Sequence, residues 1–152
     1  MHTPKEIKDL AFLRLEEAVI LYKSGKCDGA FYLAGYSVEL MLKAKICERF
    51  GIPNLFDDED KSSQISGISD IRKSLRTHNL FMLLIYSGLK VAFDTEKAKN
   101  KYLAKANSLL FNSWNENARY KPCGHVKNED VSELLKLISD SANGLLKWIE
   151  QN

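Results

Sequence analysis

Arg119 and His125 have five residues between them, in a stretch where Pro122 and Gly124 predict a turn. Such a turn could bring both side chains to one point. A histidine can take a proton from a ribose 2′-hydroxyl or give one to a leaving oxygen, while an arginine stabilises charge on the phosphate. One interpretation of the pair is therefore cleavage of RNA without a metal ion. The alternative is that Arg119 only anchors the turn.

Two other groups of residues suggest contacts with a nucleotide or RNA. Tyr120 and Lys121 follow Arg119 directly and supply a ring that can stack on a base and a charge that can bind phosphate. Arg76 and His78 lie at the start of a predicted helix, where backbone amides also attract anions. The alternative for His78 is a local hydrogen bond at the surface of that helix.

Glu39 is the one charged residue within the apolar residues 30–42. A buried carboxylate without a partner costs several kcal/mol or takes up a proton, so Glu39 needs a partner. Lys43 has the favourable i,i+4 spacing for an ion pair along the helix. The alternative partner is Arg119, whose planar guanidinium suits a carboxylate.

Composition excludes several classes of protein. The chain has 152 residues, 22 Lys and Arg against 20 Asp and Glu, and a net charge of +2, so any basic surface must be local. Its three cysteines are widely spaced, which suits neither a disulfide framework nor a zinc site. We find no signal sequence or membrane-spanning run, and we expect a cytoplasmic protein without a metal or cofactor.

The elements that carry these residues are predicted to be helices. Thr3 as N-cap and Pro4 as first residue start one helix, which ends at Gly25. A second helix runs from Cys27 or Asp28 to about Phe50 and forms a hairpin with the first. Residues 52–70 follow as a predicted mobile loop with at most a short helical turn.

Three further helices are predicted after that loop. Thr77 caps a third, buried helix that ends before Gly88, and Asp94 opens a fourth that runs to about Trp114. Residues 115–125 are predicted to be non-helical, and Asn128 caps a last helix that continues to Ile149. The predicted fold is all-α: residues 1–152 form one domain, an up-and-down bundle of four to five main helices.

The order of the motifs resembles the HEPN family, the higher eukaryotes and prokaryotes nucleotide-binding domain. The stretch "YKSGKCDGAFYLAGYSVELMLKAKI" is similar to the family's glycine, aromatic and Val-Glu, Leu-Lys-Ala pattern, and "RTHNLFMLL" is similar to its Thr-His-Asp/Asn-Leu helix start. "ARYKP" and the final "KWIEQ" resemble its Arg-Tyr-Pro segment and last helix. The resemblance covers about residues 5–150.

This resemblance implies a function. Glu39, Lys43, His78, Arg119 and Tyr120 match recurrent family positions, and Glu39, His78 and Arg119 are expected to form an internal polar cluster. Members of the family are ribonuclease toxins, which use an Arg-x4-6-His motif across a homodimer, or binding modules often paired with minimal nucleotidyltransferases. Our leading expectation is a homodimeric nucleotide- or RNA-binding domain acting beside a partner such as a nucleotidyltransferase in a toxin-antitoxin or defence system. The alternatives are a metal-independent endoribonuclease using Arg119 and His125, and a non-catalytic structural or interaction module.

Overall fold

The computed structural model describes residues 3–57 and 66–152, and all regular structure in them is helical. The predicted all-α class is therefore confirmed. The described residues form eight α-helices, a π-helical turn and a 3₁₀ helix, more than the four to five helices predicted. In chain order these are α1 (Pro4–Lys23), α2 (Cys27–Phe50), α3 (Ile68–Leu75), α4 (Leu80–Tyr86), α5 (Lys90–Lys97), α6 (Lys101–Ala106), the π turn (Asn107–Phe111), the 3₁₀ helix (Glu116–Tyr120), α7 (Asn128–Ser139) and α8 (Leu145–Gln151).

The first helix begins where its capping residues predict. Thr3 Oγ1 accepts from the Glu6 backbone amide, and the Glu6 side chain accepts from the Thr3 amide in return, which completes a capping box around Pro4. Helix α1 then buries Ile7, Ala11, Leu15 and Ala18.

Helix α2 is the central element and forms the predicted hairpin with α1. It also packs against α4, α7, α8 and the 3₁₀ helix. Gly51 ends it with a φ of 67°, a left-handed conformation that glycine adopts without steric cost. One hydrophobic core includes side chains from all eight α-helices.

The region of α3 and α4 corrects two predictions. Helix α3 lies partly inside the predicted loop 52–70, of which residues 58–65 lie outside the described residues. Asn79, rather than Thr77, is the N-cap of α4, because its side chain accepts from the Met82 amide at 3.0 Å.

Helix α4 also differs from the fully buried helix expected from its apolar sequence. Leu80, Leu83 and Leu84 are buried. Phe81, Met82 and Ile85 are 48%, 39% and 46% exposed. One face of this short helix therefore presents apolar side chains to solvent.

The remaining predicted helices are interrupted. The helix expected from Asp94 to Trp114 begins earlier, at Lys90, and breaks at Asn100, whose side chain caps α6 by accepting from the Tyr102 amide. The predicted last helix breaks after Ser139, where Asp140 Oδ1 accepts from two backbone amides that would otherwise continue it.

The chain between Trp114 and α7 also differs from its prediction. It contains the 3₁₀ helix inside the region predicted to be non-helical. Lys127, not Asn128, occupies the N-cap position of α7. Within the described ranges, no helix is both long and apolar enough to cross a membrane.

Candidate functional site

The candidate site follows one face of α2. Asp28, Tyr32, Tyr36, Glu39 and Lys43 recur every three or four residues, so they form a single row along the helix. We call this row the α2 stripe. Glu39 is buried, while the other four are partly exposed. The rings of Tyr32 and Tyr36 stack with centroids 6.3 Å apart.

Glu39 has two partners in the middle of the α2 stripe. Its side chain is 0% exposed, and Lys43 Nζ lies 2.7 Å from Oε1. His78 Nδ1 lies 2.9 Å and 3.0 Å from the two carboxylate oxygens, so this nitrogen carries a hydrogen and donates it. These three residues are named the Glu39 cluster. It confirms the predicted pairing with Lys43.

The expected contact between Glu39 and Arg119 is wrong. Arg119 instead approaches Tyr32, which lies seven residues, or roughly 10 Å along the helix axis, from Glu39. Lys43 and His78 already occupy the carboxylate oxygens. The buried charge is therefore balanced without Arg119.

The residues of the predicted anion site at "RTHNL" lie at the start of α4. Arg76 is exposed, and the His78 side chain is 48% exposed, so both are accessible at one end of α4. Helix α4 has only seven residues, however, and Asn79 already binds one of its first amides. The accessible groups at this position are thus the two side chains, with His78 oriented by Glu39.

The short segment Arg119–Lys121, which we call the RYK segment, is exposed near the other end of the α2 stripe. All three side chains are exposed, and Tyr120 is 74% exposed. The Arg119 guanidinium carbon lies 4.9 Å from the centre of the Tyr120 ring. Arg119 Nη1 lies 3.5 Å from the Tyr32 hydroxyl, at the outer limit of a hydrogen bond.

Trp114 positions the RYK segment on α2. Its indole Nε1 donates to the Tyr32 carbonyl at 3.1 Å, and its ring stacks on the Tyr32 ring. The indole also lies directly over Gly35, where a Cβ atom would overlap it. The absence of a side chain at Gly35 therefore allows the close packing that places the 3₁₀ helix here.

His125 is much less accessible than Arg119. Its side chain is 14% exposed, with Nδ1 3.2 Å from the Pro122 carbonyl oxygen and 3.1 Å from Asp28 Oδ1. Its Nε2 is buried and has no hydrogen-bond partner within the described part of the chain. Arg119 and His125 thus have different partners and different exposure, and their joint catalytic role stays a prediction.

A cavity of about 250 Å³ lies next to the RYK segment. Lys121, Lys127 and His125 contribute to its wall together with the ring of Phe31. Asp130 is the acidic residue of the lining. The cavity therefore combines an apolar surface with two lysines that can contact an anion.

Sequence reasoning missed Asp28, Tyr32 and Tyr36. The two tyrosines lie within the apolar residues 30–42, yet each is partly exposed on the α2 stripe. Burial, and next the charge of Glu39, raises the pKa of Tyr36 above its ordinary value. The signal that could have found these residues is their regular spacing before Glu39 and Lys43.

Over residues 3–57 and 66–152, no group of three or more His, Cys, Asp and Glu side chains is arranged to hold a metal ion. Comparison with protein-family models, with curated proteins and with solved structures found no match. The HEPN resemblance therefore stays a prediction from the motifs.

Proposed function

We propose that this protein is a nucleotide- or RNA-binding domain of HEPN type, with its helices in an up-and-down bundle. The observation that carries the proposal is the RYK segment: a ring that is 74% exposed, flanked in sequence by two exposed cations. Single-stranded nucleic acids are bound by this combination, because rings stack on bases while arginine and lysine bind phosphates.

Each side chain of the RYK segment has a distinct role in the proposed complex. Tyr120 stacks on a base. Arg119, held between Tyr32 and the Tyr120 ring, presents its guanidinium to a phosphate. Lys121 contacts the next phosphate and directs the bound nucleic acid toward the adjacent cavity. Lys127 adds a second positive charge to that cavity.

Arg76 and His78 extend the proposed binding surface. Arg119 and His78 contact α2 at Tyr32 and Glu39, which lie two helical turns apart on one face. That separation is close to the reach of one or two nucleotides of a single strand. A bound RNA would therefore follow the α2 stripe from Lys121 toward Arg76.

The proposal includes partners. The exposed apolar residues Phe81, Met82 and Ile85 of α4 are the surface we assign to a homodimer. A nucleotidyltransferase encoded beside this protein, in a toxin-antitoxin or defence system, is the proposed second partner. Size-exclusion chromatography with light scattering on the wild type and on Ile85→Glu tests the dimer: the wild type should be dimeric and the variant monomeric.

The binding proposal is tested by fluorescence anisotropy of a short, labelled single-stranded RNA, with a panel of nucleotides as competitors. Tyr120→Ala should weaken binding about 5- to 150-fold, since stacking on one base contributes roughly 1–3 kcal/mol. Tyr120→Phe should bind like the wild type, because the ring is retained. Arg119→Ala should weaken binding and reduce its dependence on salt.

Arg49→Ala is the matched control. Arg49 is also exposed, but it lies at the far end of α2, where it donates to the carbonyl of Asn152. Its removal should leave affinity unchanged. Wild-type protein that binds neither RNA nor any nucleotide would refute the proposal. An Arg119→Ala variant with a lower melting temperature but normal RNA affinity would also refute it, because this is the behaviour expected of a structural module.

One observation favours the ribonuclease as a second candidate. Asp28 Oδ1 lies 3.1 Å from His125 Nδ1, so a carboxylate stands next to the imidazole, whose Nδ1 also lies 3.2 Å from the Pro122 carbonyl oxygen. Nε2 is buried, so acid or base chemistry at this nitrogen requires that the turn around His125 opens when RNA binds. Cleavage of the same RNA that persists with a chelator and disappears in His125→Ala would support it. Absence of cleavage by a wild type that does bind RNA would contradict it.

A further inference from the structure

Two cysteines share a cavity that the proposed function does not use. Cys27 and Cys123 both line a cavity of about 800 Å³ between the start of α2 and the chain that leads into α7. Cys27 is partly exposed, Cys123 is exposed, and both are free thiols. They lie 96 residues apart in sequence, so only the fold brings them together.

Three contacts connect the chain around these cysteines. The Cys27 thiol donates to Asn128 Oδ1 at 3.0 Å. The Gly124 amide, directly after Cys123, donates to Oδ2 of Asp28, directly after Cys27, at 2.7 Å. The same carboxylate lies 3.1 Å from His125 Nδ1. The residue next to each cysteine is thus in contact with the residue next to the other.

We propose that Cys27 and Cys123 are a modification site for hydroperoxides and form an intramolecular disulfide. Cys123 reacts first because it is the exposed thiol. Its thiolate attacks the O–O bond, which gives a sulfenic acid and releases hydroxide or the alcohol. The Cys27 thiolate then attacks the Cys123 sulfur, the S–S bond forms and water leaves. Overall, two thiols and one hydroperoxide give one disulfide, one water and one alcohol or second water.

The two chain segments that carry the cysteines lie next to each other. A disulfide needs Cα atoms about 4.4–6.8 Å apart, so the two segments must lie side by side, as the contact between Gly124 and Asp28 places them. Cys123 lies in an exposed turn, where Gly124 has a φ of 80°. The Cys27 thiol, which already lines the cavity, must give up its hydrogen bond to the Asn128 side chain to form the bond.

The third cysteine provides an internal control. Cys47 is buried in α2, and burial raises its pKa to about 11. A thiol that stays protonated and covered does not react with peroxide, since the thiolate is the nucleophile. Oxidation should therefore consume two of the three thiols and leave Cys47.

The disulfide would fix the chain directly after the RYK segment to the first turn of α2. Any effect of this restraint on RNA binding rests on the proposed function, whereas formation of the disulfide does not. The bond closes a long loop and should also raise the melting temperature of the oxidised protein.

The experiment treats the purified full chain with one equivalent of hydrogen peroxide, blocks remaining thiols with an alkylating reagent and maps the peptides by mass spectrometry. A Cys27–Cys123 linked peptide with alkylated Cys47 is expected, and Cys47→Ala should give the same product. In Cys27→Ser, Cys123 should stop at the sulfenic acid and be trapped by dimedone.

Three results would overturn the proposal. They are an intermolecular Cys123 disulfide as the main product, a sulfinic acid at Cys123 with Cys27 still free, and alkylation of both thiols after the treatment. A variant that fails to fold does not affect the conclusion, because the wild-type peptide map decides it. The assay contains no RNA, so its result does not depend on whether the protein binds RNA.

Discussion

The Glu39 cluster and the RYK segment contact the same face of α2 two turns apart, and they differ in the exposure of the central charge and in the length of its contacts. Glu39 is 0% exposed and makes contacts of 2.7, 2.9 and 3.0 Å with Lys43 and His78. Arg119 is exposed, and its contact with Tyr32 is 3.5 Å long. The HEPN resemblance implied instead that Glu39, His78 and Arg119 form one internal polar cluster.

This difference separates stability from binding. A buried carboxylate must be paired in the folded protein, so its partners are committed to the fold. An exposed guanidinium over an exposed ring gains little from its protein contacts and can exchange water for a ligand at small cost. We therefore expect substitution of the buried Glu39 to change mainly the free energy of unfolding, and substitutions in the RYK segment to change mainly the affinity for RNA.

Glu39→Ala should have the largest effect on stability. Lys43, whose side chain is 11% exposed, loses its carboxylate, and the free energy of unfolding should fall by about 3 kcal/mol. Urea denaturation followed by circular dichroism measures this change. RNA affinity, measured under conditions where the variant is folded, should be reduced much less than in Tyr120→Ala.

Asp9→Ala is the matched control for that substitution. Asp9 also pairs with a lysine four residues away, Lys5, but their side chains are 65% and 86% exposed. Its loss should cost roughly 0.5 kcal/mol or less. Equal effects of Glu39→Ala and Asp9→Ala would contradict the structural role of the Glu39 cluster.

Gly35→Ala should connect the two regions through the core. A Cβ atom at this position overlaps the Trp114 indole, which is held on the Tyr32 carbonyl. Overpacking of this kind costs about 1–3 kcal/mol, more than the gain of up to about 1 kcal/mol from alanine in a helix. Trp114 positions the 3₁₀ helix that contains Arg119 and Tyr120, so a displaced indole should also lower the affinity for RNA.

The control for this change is Gly29→Ala in the same helix. Its Cβ would meet only Leu21 Cδ1, at 3.3 Å, the end of a flexible side chain. The melting temperature of Gly29→Ala should therefore be unchanged or slightly higher than that of the wild type. If Gly35→Ala were as stable as Gly29→Ala and bound RNA normally, the indole would not position the RYK segment.

Local signals explain which parts of the fold could be predicted. The start of α1 and the end of α2 are determined by Thr3, Pro4 and Gly51, whose effects act within one helical turn. The breaks at Asn100 and Asp140 depend on side chains that bind nearby amides. Such residues also occur inside helices, so their sequence alone does not reveal a break.

The candidate site was only partly predictable for a different reason. The pairing of Glu39 with Lys43 follows from i,i+4 spacing, which is a property of one helix. The choice between Tyr32 and Glu39 as the contact of Arg119 depends on where Trp114 packs, and that requires the tertiary structure. The exposure of Phe81 likewise depends on how its neighbours pack.

The smallest expected effect is a change in the pKa of Tyr36, which lies between the two regions on the α2 stripe. It shows whether the charge of Glu39 acts electrostatically on this tyrosine. Burial, and next the charge of Glu39, raises the pKa of Tyr36 above its ordinary value of 10.0. Glu39→Gln should lower this pKa only in part, because the tyrosine stays buried. The difference in tyrosinate absorbance between each protein and its Tyr36→Phe counterpart, followed through alkaline pH, measures the change.

The same shift has a consequence for stability whose sign is fixed. Folded Tyr36 keeps a proton that the unfolded chain releases near pH 10, so the folded state binds more protons and loses stability as pH rises from there. Tyr36→Phe should remove this part of the alkaline decline, most clearly in a Cys47→Ala background, since the raised pKa of Cys47 acts in the same direction. A Tyr36 titration that is identical with glutamate and glutamine at position 39 would show that the Glu39 charge does not reach Tyr36. The α2 stripe would then consist of two regions without electrostatic coupling through Tyr36.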